Sequence, residues 1–167
     1  MSNEHTLKDL LPLLELDEYI SFDLETTGLN PDKDQITELA ACRFINGEFV
    51  EEYSTLINPG IPIPKKITSL TGITNKMVKD APSINDALPD FLEFIGSTPL
   101  VAQNIHFDYS FITKILPMTN SQISESPLYD TLSLARGFIY FHNSFNLGSL
   151  CDYYGIKIEN AHRASAD

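Results

Sequence analysis

An α/β domain is the expectation for this chain: a mixed sheet that opens as an antiparallel three-strand meander, continues with parallel strands, and carries helices. Three features lead to it. Asn46-Gly47 separates two strand-like runs, "QITELAACRFI" and "EFVEEYSTLIN", and Asn-Gly in that setting is the strongest short-range hairpin signal. Downstream, short apolar runs alternate with helical patterns, the order that builds parallel strands joined by helices. The 167 residues are 43% hydrophobic, with ten Phe and seven Tyr, enough for one domain with a substantial core.

Thr6 is placed to cap a short helix through Leu14, with Pro12 limiting its length. Residues 1–18 are read as an extension and 19–167 as the domain. Tyr19 to Leu24 is strand one, apolar at Ile20, Phe22 and Leu24, the two-residue period of a strand. "TTGLNPDKD" is a turn-rich connection, and the hairpin follows. "PGIPIPKKITSLTGIT" is a proline-rich connection with a short helix from near Pro64. In "SINDALPDFLEFIGS", Ser83 and Asp86 have capping-box spacing. Ile84, Ala87, Leu88, Phe91, Leu92 and Ile95 recur there at helical period, and Pro89 is a candidate kink. "PLVAQN" is the next strand, and "FDYSFITKILPM" a helix with Phe111, Ile112, Ile115 and Leu116 on one face. "PLYDTLSLARGF" reads as strand then helix, "FNLGSLCDYYGI" as a helix ended by Gly155, and "ENAHRASAD" as the start of a last helix.

Net charge is −12, from 23 acidic and 11 basic side chains. Nucleic-acid binders usually show a basic footprint, so this balance argues against a stoichiometric coat or a tight duplex binder. It suits an enzyme that holds cations in an acidic pocket and touches few nucleotides. Lys65, Lys66, Lys76 and Lys79 fall in one short stretch, where a solvated loop and a phosphate-facing patch both fit. Cys42 and Cys151 are far apart and have no metal-ligand spacing, which suits reduced thiols in the cytoplasm. The amino terminus lacks the basic start and cleavage site of a signal peptide. No apolar run approaches the roughly 20 residues that span a bilayer, so no membrane role is expected.

"YISFDLETTGLN" places Asp23 and Glu25 two apart on a strand. They share a face, with α-carbons about 6 to 7 Å apart. Two ionised carboxylates so placed repel, and one holds its proton unless something relieves the repulsion. A pair of divalent cations roughly 3.5 to 4 Å apart fits among such groups and removes the repulsion. Asp23 and Glu25 end strand one, and Asp108 follows "PLVAQN". Ligand chemistry in such sheets gathers at the carboxyl ends of strands. Asp108 also opens a helix, whose dipole favours negative charge. Oxygen-only donors suit Mg²⁺ or Mn²⁺ rather than Zn²⁺. Singly, each residue has a plainer role: Asp108 as a helix cap, Glu25 at a strand end, His162 exposed or satisfied in the core. Only the joint pattern points to chemistry.

"FDLETTG", "NIHFDYSF" and "HRASAD", in that order, resemble the three motifs of the DEDDh 3′→5′ exonucleases. That family includes the proofreading subunit of bacterial replicative DNA polymerase and exonuclease domains fused to polymerases or helicases. The likeness runs from Tyr19 to Asp167, and "INPGIPIPKKITSLTGITNKMVKDAP" is similar to the family's linking segment. The resemblance implies a ribonuclease H-like fold. It implies two divalent cations, Mg²⁺ or Mn²⁺, held by Asp23, Glu25, Asp108 and Asp167, with His162 as general base. The backbone at Thr26, Thr27 and Gly28 is expected to meet the terminal nucleotide. Gly28 either turns the chain with φ > 0, admits a ligand, or serves as a plain turn glycine. The resemblance also gives Leu29 and Phe107 apolar contacts with the terminal base, although Phe107 equally fits the core. Asn104 either orients the second-motif loop or caps it. The family often has histidine where this chain has Gln103. Its last helix continues beyond the final aspartate, so the domain is read as cut within that helix.

The implied function is hydrolysis from single-stranded 3′ ends, releasing nucleoside monophosphates, with DNA ahead of RNA and a setting in proofreading or repair. So little basic charge predicts low processivity alone, hence a polymerase or helicase as partner subunit or fused domain. The alternative is a catalytically weak module that binds nucleic-acid ends or tethers such a partner. Metal-dependent release of mononucleotides separates the two. "ISFDLETTG" is also similar to the DxDxT strand of haloacid-dehalogenase-like phosphatases, but here the second acid is Glu25, and Asp108 and "HRASAD" have no role in that scheme.

Overall fold

The computed structural model describes residues 16–119, 122–139, 143–157 and Ala164. The expected helices at Thr6–Leu14 and in "ENAHRASAD" lie outside the described residues. Strands β1 (Glu18–Thr26), β2 (Ile36–Ile45), β3 (Glu48–Leu56), β4 (Leu100–Ala102) and β5 (Leu128–Asp130) form one sheet in the order β3-β2-β1-β4-β5. The first three pair antiparallel, and β4 and β5 add parallel to β1. The described helices are α1 (Lys65–Thr71), α2 (Asn75–Val78), α3 (Ile84–Ile95), α4 (Ile105–Thr119), α5 (Thr131–Phe138) and α6 (Leu147–Tyr154). The mixed sheet with flanking helices is the expected architecture.

Local chemistry explains most of it. Asn46 and Gly47 have φ of 52° and 77°, both left-handed, as a two-residue type I′ turn requires. The strands they join keep the register Ile45↔Glu48. Along β1, Ile20, Phe22, Leu24 and Thr26 are buried and alternate with partly exposed neighbours. Phe22 and Tyr53 both meet Phe91 of α3, with ring centroids 6.3 and 5.7 Å apart. The core gathers these with Leu39, Leu88, Ile95, Leu100, Ile105, Phe111 and Ile112. Each large apolar side chain so buried contributes about 1.5–3 kcal/mol.

Helix starts differ from expectation by a few residues. Asp86 Oδ2 accepts the backbone N–H of Ser83 at 3.3 Å and its hydroxyl at 2.6 Å, so the anticipated capping pair starts α3. The helix continues past Pro89, which is exposed. Pro64 sits just outside α1 in an extended conformation, not in its first turn. α4 begins at Ile105, so Asp108 lies inside the first turn and does not open the helix.

The four clustered lysines are all exposed, carried by α1, α2 and the residue after α2, over a small separate core of Ile63, Ile73 and Val78. At the opposite end of β1 from Asp23 and Glu25, Arg43 pairs with Glu18 and with Glu51 and lies 5.2 Å over the Phe94 ring. Cys42 and Cys151 are both free thiols. Among the described residues, no helix is long and apolar enough to cross a membrane.

Candidate active site

The first and second motifs meet through one hydrogen bond. In a strand, alternate N–H groups point to the same side. Ile20 sends its N–H toward β4, to Pro99 O at 2.9 Å, so Leu24 points the same way. β4, however, pairs only with Ile20 and Ser21 of β1 and stops at Ala102. Asp108 takes over where the ladder ends: its Oδ1 accepts the Leu24 N–H at 3.2 Å. This puts the Asp108 carboxyl against the backbone between Asp23 and Glu25.

Asp108 is only 2% exposed. Burial pushes its pKa up to about 7, against the opposing pull of its own backbone N–H and that of Leu24. A buried carboxyl in this state exchanges its proton readily for a cation, because the cation removes the desolvation cost of the charge. The donor set at this end of β1 is therefore all oxygen, suited to hard divalent ions. Among the described residues, no group of three or more His, Cys, Asp or Glu is gathered closely enough to hold an ion. Asp167, expected as the fourth carboxylate, and His162, expected as the base, lie outside the described residues.

The segment after β1 is organised by Asp34, which sequence reasoning did not single out. Thr27 is buried; its hydroxyl accepts Gln35 N–H at 3.0 Å and donates to Asp34 Oδ1 at 3.2 Å. Asp34 Oδ2 accepts Asn30 N–H at 2.9 Å. Thr26 donates its hydroxyl to Gly28 O at 2.6 Å. Both threonine side chains are thus spent on the loop, leaving backbone as the face they could offer a ligand. Gly28 does not have the positive φ that was one expectation for it. Its requirement is space: a Cβ there would lie 2.5 Å from Asp34 Oδ2. Gly28→Ala should therefore push Asp34 off Thr27 and Asn30 and cost about 1–2 kcal/mol, read as a lowered melting temperature with Gly28→Ser falling further. Leu29, in the same loop, is 82% exposed.

A second unpredicted residue, Asp130, fixes the turn into α4. Asn104 has φ of 60°, and its N–H donates to Asp130 Oδ1 at 2.8 Å. The same carboxylate caps α5 through Leu132 N–H at 3.1 Å and Ser133 Oγ at 2.6 Å. Asn104 thus shapes the turn into α4 through its backbone: its carbonyl also accepts Phe107 N–H at 2.9 Å. Phe107 is partly buried, packs on the core, and lies 5.2 Å from the Phe111 ring, so one side of it belongs to the core. Gln103, where the family often has histidine, bridges structure: Nε2 donates to Phe145 O at 2.8 Å and Oε1 accepts Thr131 Oγ1 at 2.6 Å. An Asp followed three residues later by Ser at a helix start is a cap signal, and it was available at Asp130.

Comparison with known proteins identifies the family and the fold. The profile of the RNase_T exonuclease family matches residues 20–167. The PolC-type DNA polymerase III of Clostridium perfringens is 42% identical over 151 residues, 90% of this chain and 10% of that protein. The DNA polymerase III subunit epsilon of Aquifex aeolicus is 36% identical over 149 residues, 89% of this chain and 74% of the subunit. Exonuclease X, solved in complex with 5′ overhanging duplex DNA, superposes with a TM-score of 0.69 at 26% identity, covering 89% of this chain and 82% of its own. E. coli exonuclease I, solved in a zinc-bound complex with single-stranded DNA, has the same fold, with a TM-score of 0.77 at 21% identity over 90% of this chain and 38% of its own. The chain spans about a tenth of the length of the PolC-type proteins it matches. With the family profile covering nearly all of the described sheet and helices, the chain belongs to the RNase_T exonuclease family, whose members are hydrolytic nucleases that use divalent metal ions.

Proposed function

We propose that the domain removes nucleotides one at a time from the 3′ ends of single-stranded DNA, releasing nucleoside monophosphates. The single observation that carries this reading is the bond from Leu24 N–H to Asp108 Oδ1, which sets the second-motif acid against the backbone between Asp23 and Glu25. Asp23, Glu25, Asp108 and Asp167 would hold two divalent cations, Mg²⁺ or Mn²⁺. Bound there, the cations would lower the pKa of the attacking water and offset charge on the phosphate and leaving oxygen.

The chain's own residues supply the rest. His162 would accept the proton of the attacking water, as an imidazole, with an unperturbed pKa near 6.5, can do at neutral pH. Leu29 would lie against the terminal base, with the free side of Phe107 beside it, and the backbone at Thr26, Thr27 and Gly28 would line the last nucleotide. At saturating Mn²⁺, kcat should fall about tenfold for each pH unit below the imidazole pKa. A profile that stays level down to pH 5 would remove His162 from the mechanism. Saturation matters, because acid also returns a proton to Asp108 and weakens cation binding on its own.

The setting is proposed from the relatives, which are DNA polymerase III proteins: proofreading or repair in the cytoplasm, attached to or associated with a polymerase. Residues 19–167 would be the nuclease unit and 1–18 an extension. A chain with net charge −12 grips a polyanion weakly, so such a partner would hold the strand and processivity alone would be low. The test is a labelled strand with free or blocked 3′ end, as DNA and as RNA, with Mg²⁺ or with EDTA. Stepwise mononucleotide release from the free DNA end in Mg²⁺ alone is expected. Internal cuts, release from the blocked strand, or equal release in EDTA would refute the assignment.

A further inference from the structure

We propose that Glu38 is a positioning residue: its buried carboxylate fixes the backbone at Ala164, and with it the third-motif segment, against the sheet face that bears Asp23 and Glu25. The proposal rests on the exonuclease reading for its consequence and on geometry for its contact.

Residues Ile36 to Ala41 of β2 are all buried, so both faces of this stretch are covered. Leu39 and Ala41 stand opposite Leu24 and Phe22 and belong to the apolar core. Directly opposed residues of an antiparallel pair share a face. Glu38 and Ala40, opposite Glu25 and Asp23, therefore belong to the other face, the one with the motif acids. On that face Glu38 Oε2 accepts the N–H of Ala164 at 3.0 Å, across 126 residues of chain. Ala164 is itself buried. It follows His162 by two residues and precedes Asp167 by three.

Glu38 is 1% exposed, and a buried charge is costly to desolvate. It also stands directly opposite another acid, and like charges so placed repel. Its carboxylate oxygen accepts the Ala164 N–H at 3.0 Å, a bond that an apolar residue could not make. Three bonded anchors then lie on β1 and β2: the sheet for the first motif, Leu24 N–H for Asp108, and Glu38 for Ala164, between His162 and Asp167. A small misplacement of a reacting group costs about a hundredfold in rate, which gives such a tether its value.

The experiment uses the full chain, with Glu38→Ala and Glu38→Gln, and reads two things. Hydrogen exchange of the Ala164 amide should be protected in wild type, speed up in Glu38→Ala, and stay protected in Glu38→Gln, which keeps an acceptor oxygen. Release of mononucleotides at saturating Mn²⁺, well below the melting temperature, should lose about 10- to 100-fold in kcat in Glu38→Ala. KM for the strand should change less than about threefold, and Glu38→Gln should recover most of the rate. An unprotected Ala164 amide in wild type overturns the proposal even if Glu38→Ala fails to fold, as does unchanged kcat in a folded Glu38→Ala. A wild-type chain without nuclease activity would sink the exonuclease reading instead, and the exchange data would still decide the tether.

Discussion

Asp108→Asn should abolish metal-dependent nucleotide release while making the metal-free protein more stable at pH 8. The two effects have one cause. Asp108 is buried and its carboxyl is held neutral up to about pH 7, so ionising it in the folded chain costs free energy that only a bound cation returns. Asparagine keeps an Oδ1 to accept Leu24 N–H, has nearly the same volume, and never carries the charge. If Asp108 holds the catalytic cations as proposed, its loss should lower kcat by about a thousandfold or more, roughly 4 kcal/mol. An ordinary destabilising substitution lowers activity and melting temperature together, so the opposite movement here is diagnostic.

The pH window follows from the direction of the shift. Below the unfolded carboxyl pKa, about 3.9, Asp108 is protonated in both states and costs nothing. Between there and about 7 the unfolded chain has given up its proton and the folded one has not, so stability falls as pH rises. Above about 7 the full cost is present. In EDTA, the melting temperature of Asp108→Asn should therefore exceed that of wild type at pH 8, by an amount on the order of 2 kcal/mol or about 4–8 °C. The gap should shrink toward pH 5. Adding Mn²⁺ should raise the wild-type melting temperature more at pH 8 than at pH 6, because binding displaces a proton, and should leave the variant nearly unmoved. Wild type melting above the variant at pH 8 in EDTA would show that Asp108 carries no such burden.

How far the sequence alone led depended on the range of the interactions. The hairpin was legible because Asn46 and Gly47 need nothing beyond themselves to take left-handed φ. The alternation along β1, and the helical period from Ile84 to Ile95, are likewise local. Asp23 and Glu25 stood out because two acids on one strand face conflict with each other. The need for glycine at position 28 was not legible in the same way, since φ there is not positive. Gly28 is required by a carboxylate six residues on, and only the folded loop brings Asp34 under it. Asp130 reaches 26 residues back to Asn104, and Glu38 reaches 126 forward to Ala164. Pairing partners at that distance leave no period or spacing in the chain, and each of these acids reads locally as an ordinary turn, cap or strand residue.

Asp130→Ala should damage the site without touching any residue expected to meet the substrate. Burial by itself pushes the Asp130 pKa up, but hydrogen bonds from Ser133, Asn104, Leu132 and Ile105 outweigh it and hold the group below its ordinary value. That carboxylate caps α5 and at the same time closes the turn from β4 into α4, where Asn104 sits at φ 60° and Asp108 follows within one helical turn. Alanine removes the cap, worth about 1 kcal/mol, and strips the acceptor from Asn104 and Ile105, for a total near 2–3 kcal/mol. The lowered pKa means this support is present above the unfolded carboxyl pKa and lost as pH falls through the folded one. The stability gap between wild type and Asp130→Ala should therefore be full at pH 7 and close as the medium becomes strongly acidic. With α4 free to tilt, Asp108 loses its fixed approach to Leu24, and kcat at saturating Mn²⁺ should fall about 10- to 100-fold with KM for the strand little changed. Asp130→Asn keeps one acceptor oxygen for Asn104 and should restore most of the rate but less of the stability, since the charge-assisted bonds to Ser133 and Leu132 weaken. Equal losses in Asp130→Asn and Asp130→Ala, or a change confined to melting temperature with kcat intact, would mean that Asp130 serves α5 alone and that Asp108 is placed by the sheet without its help.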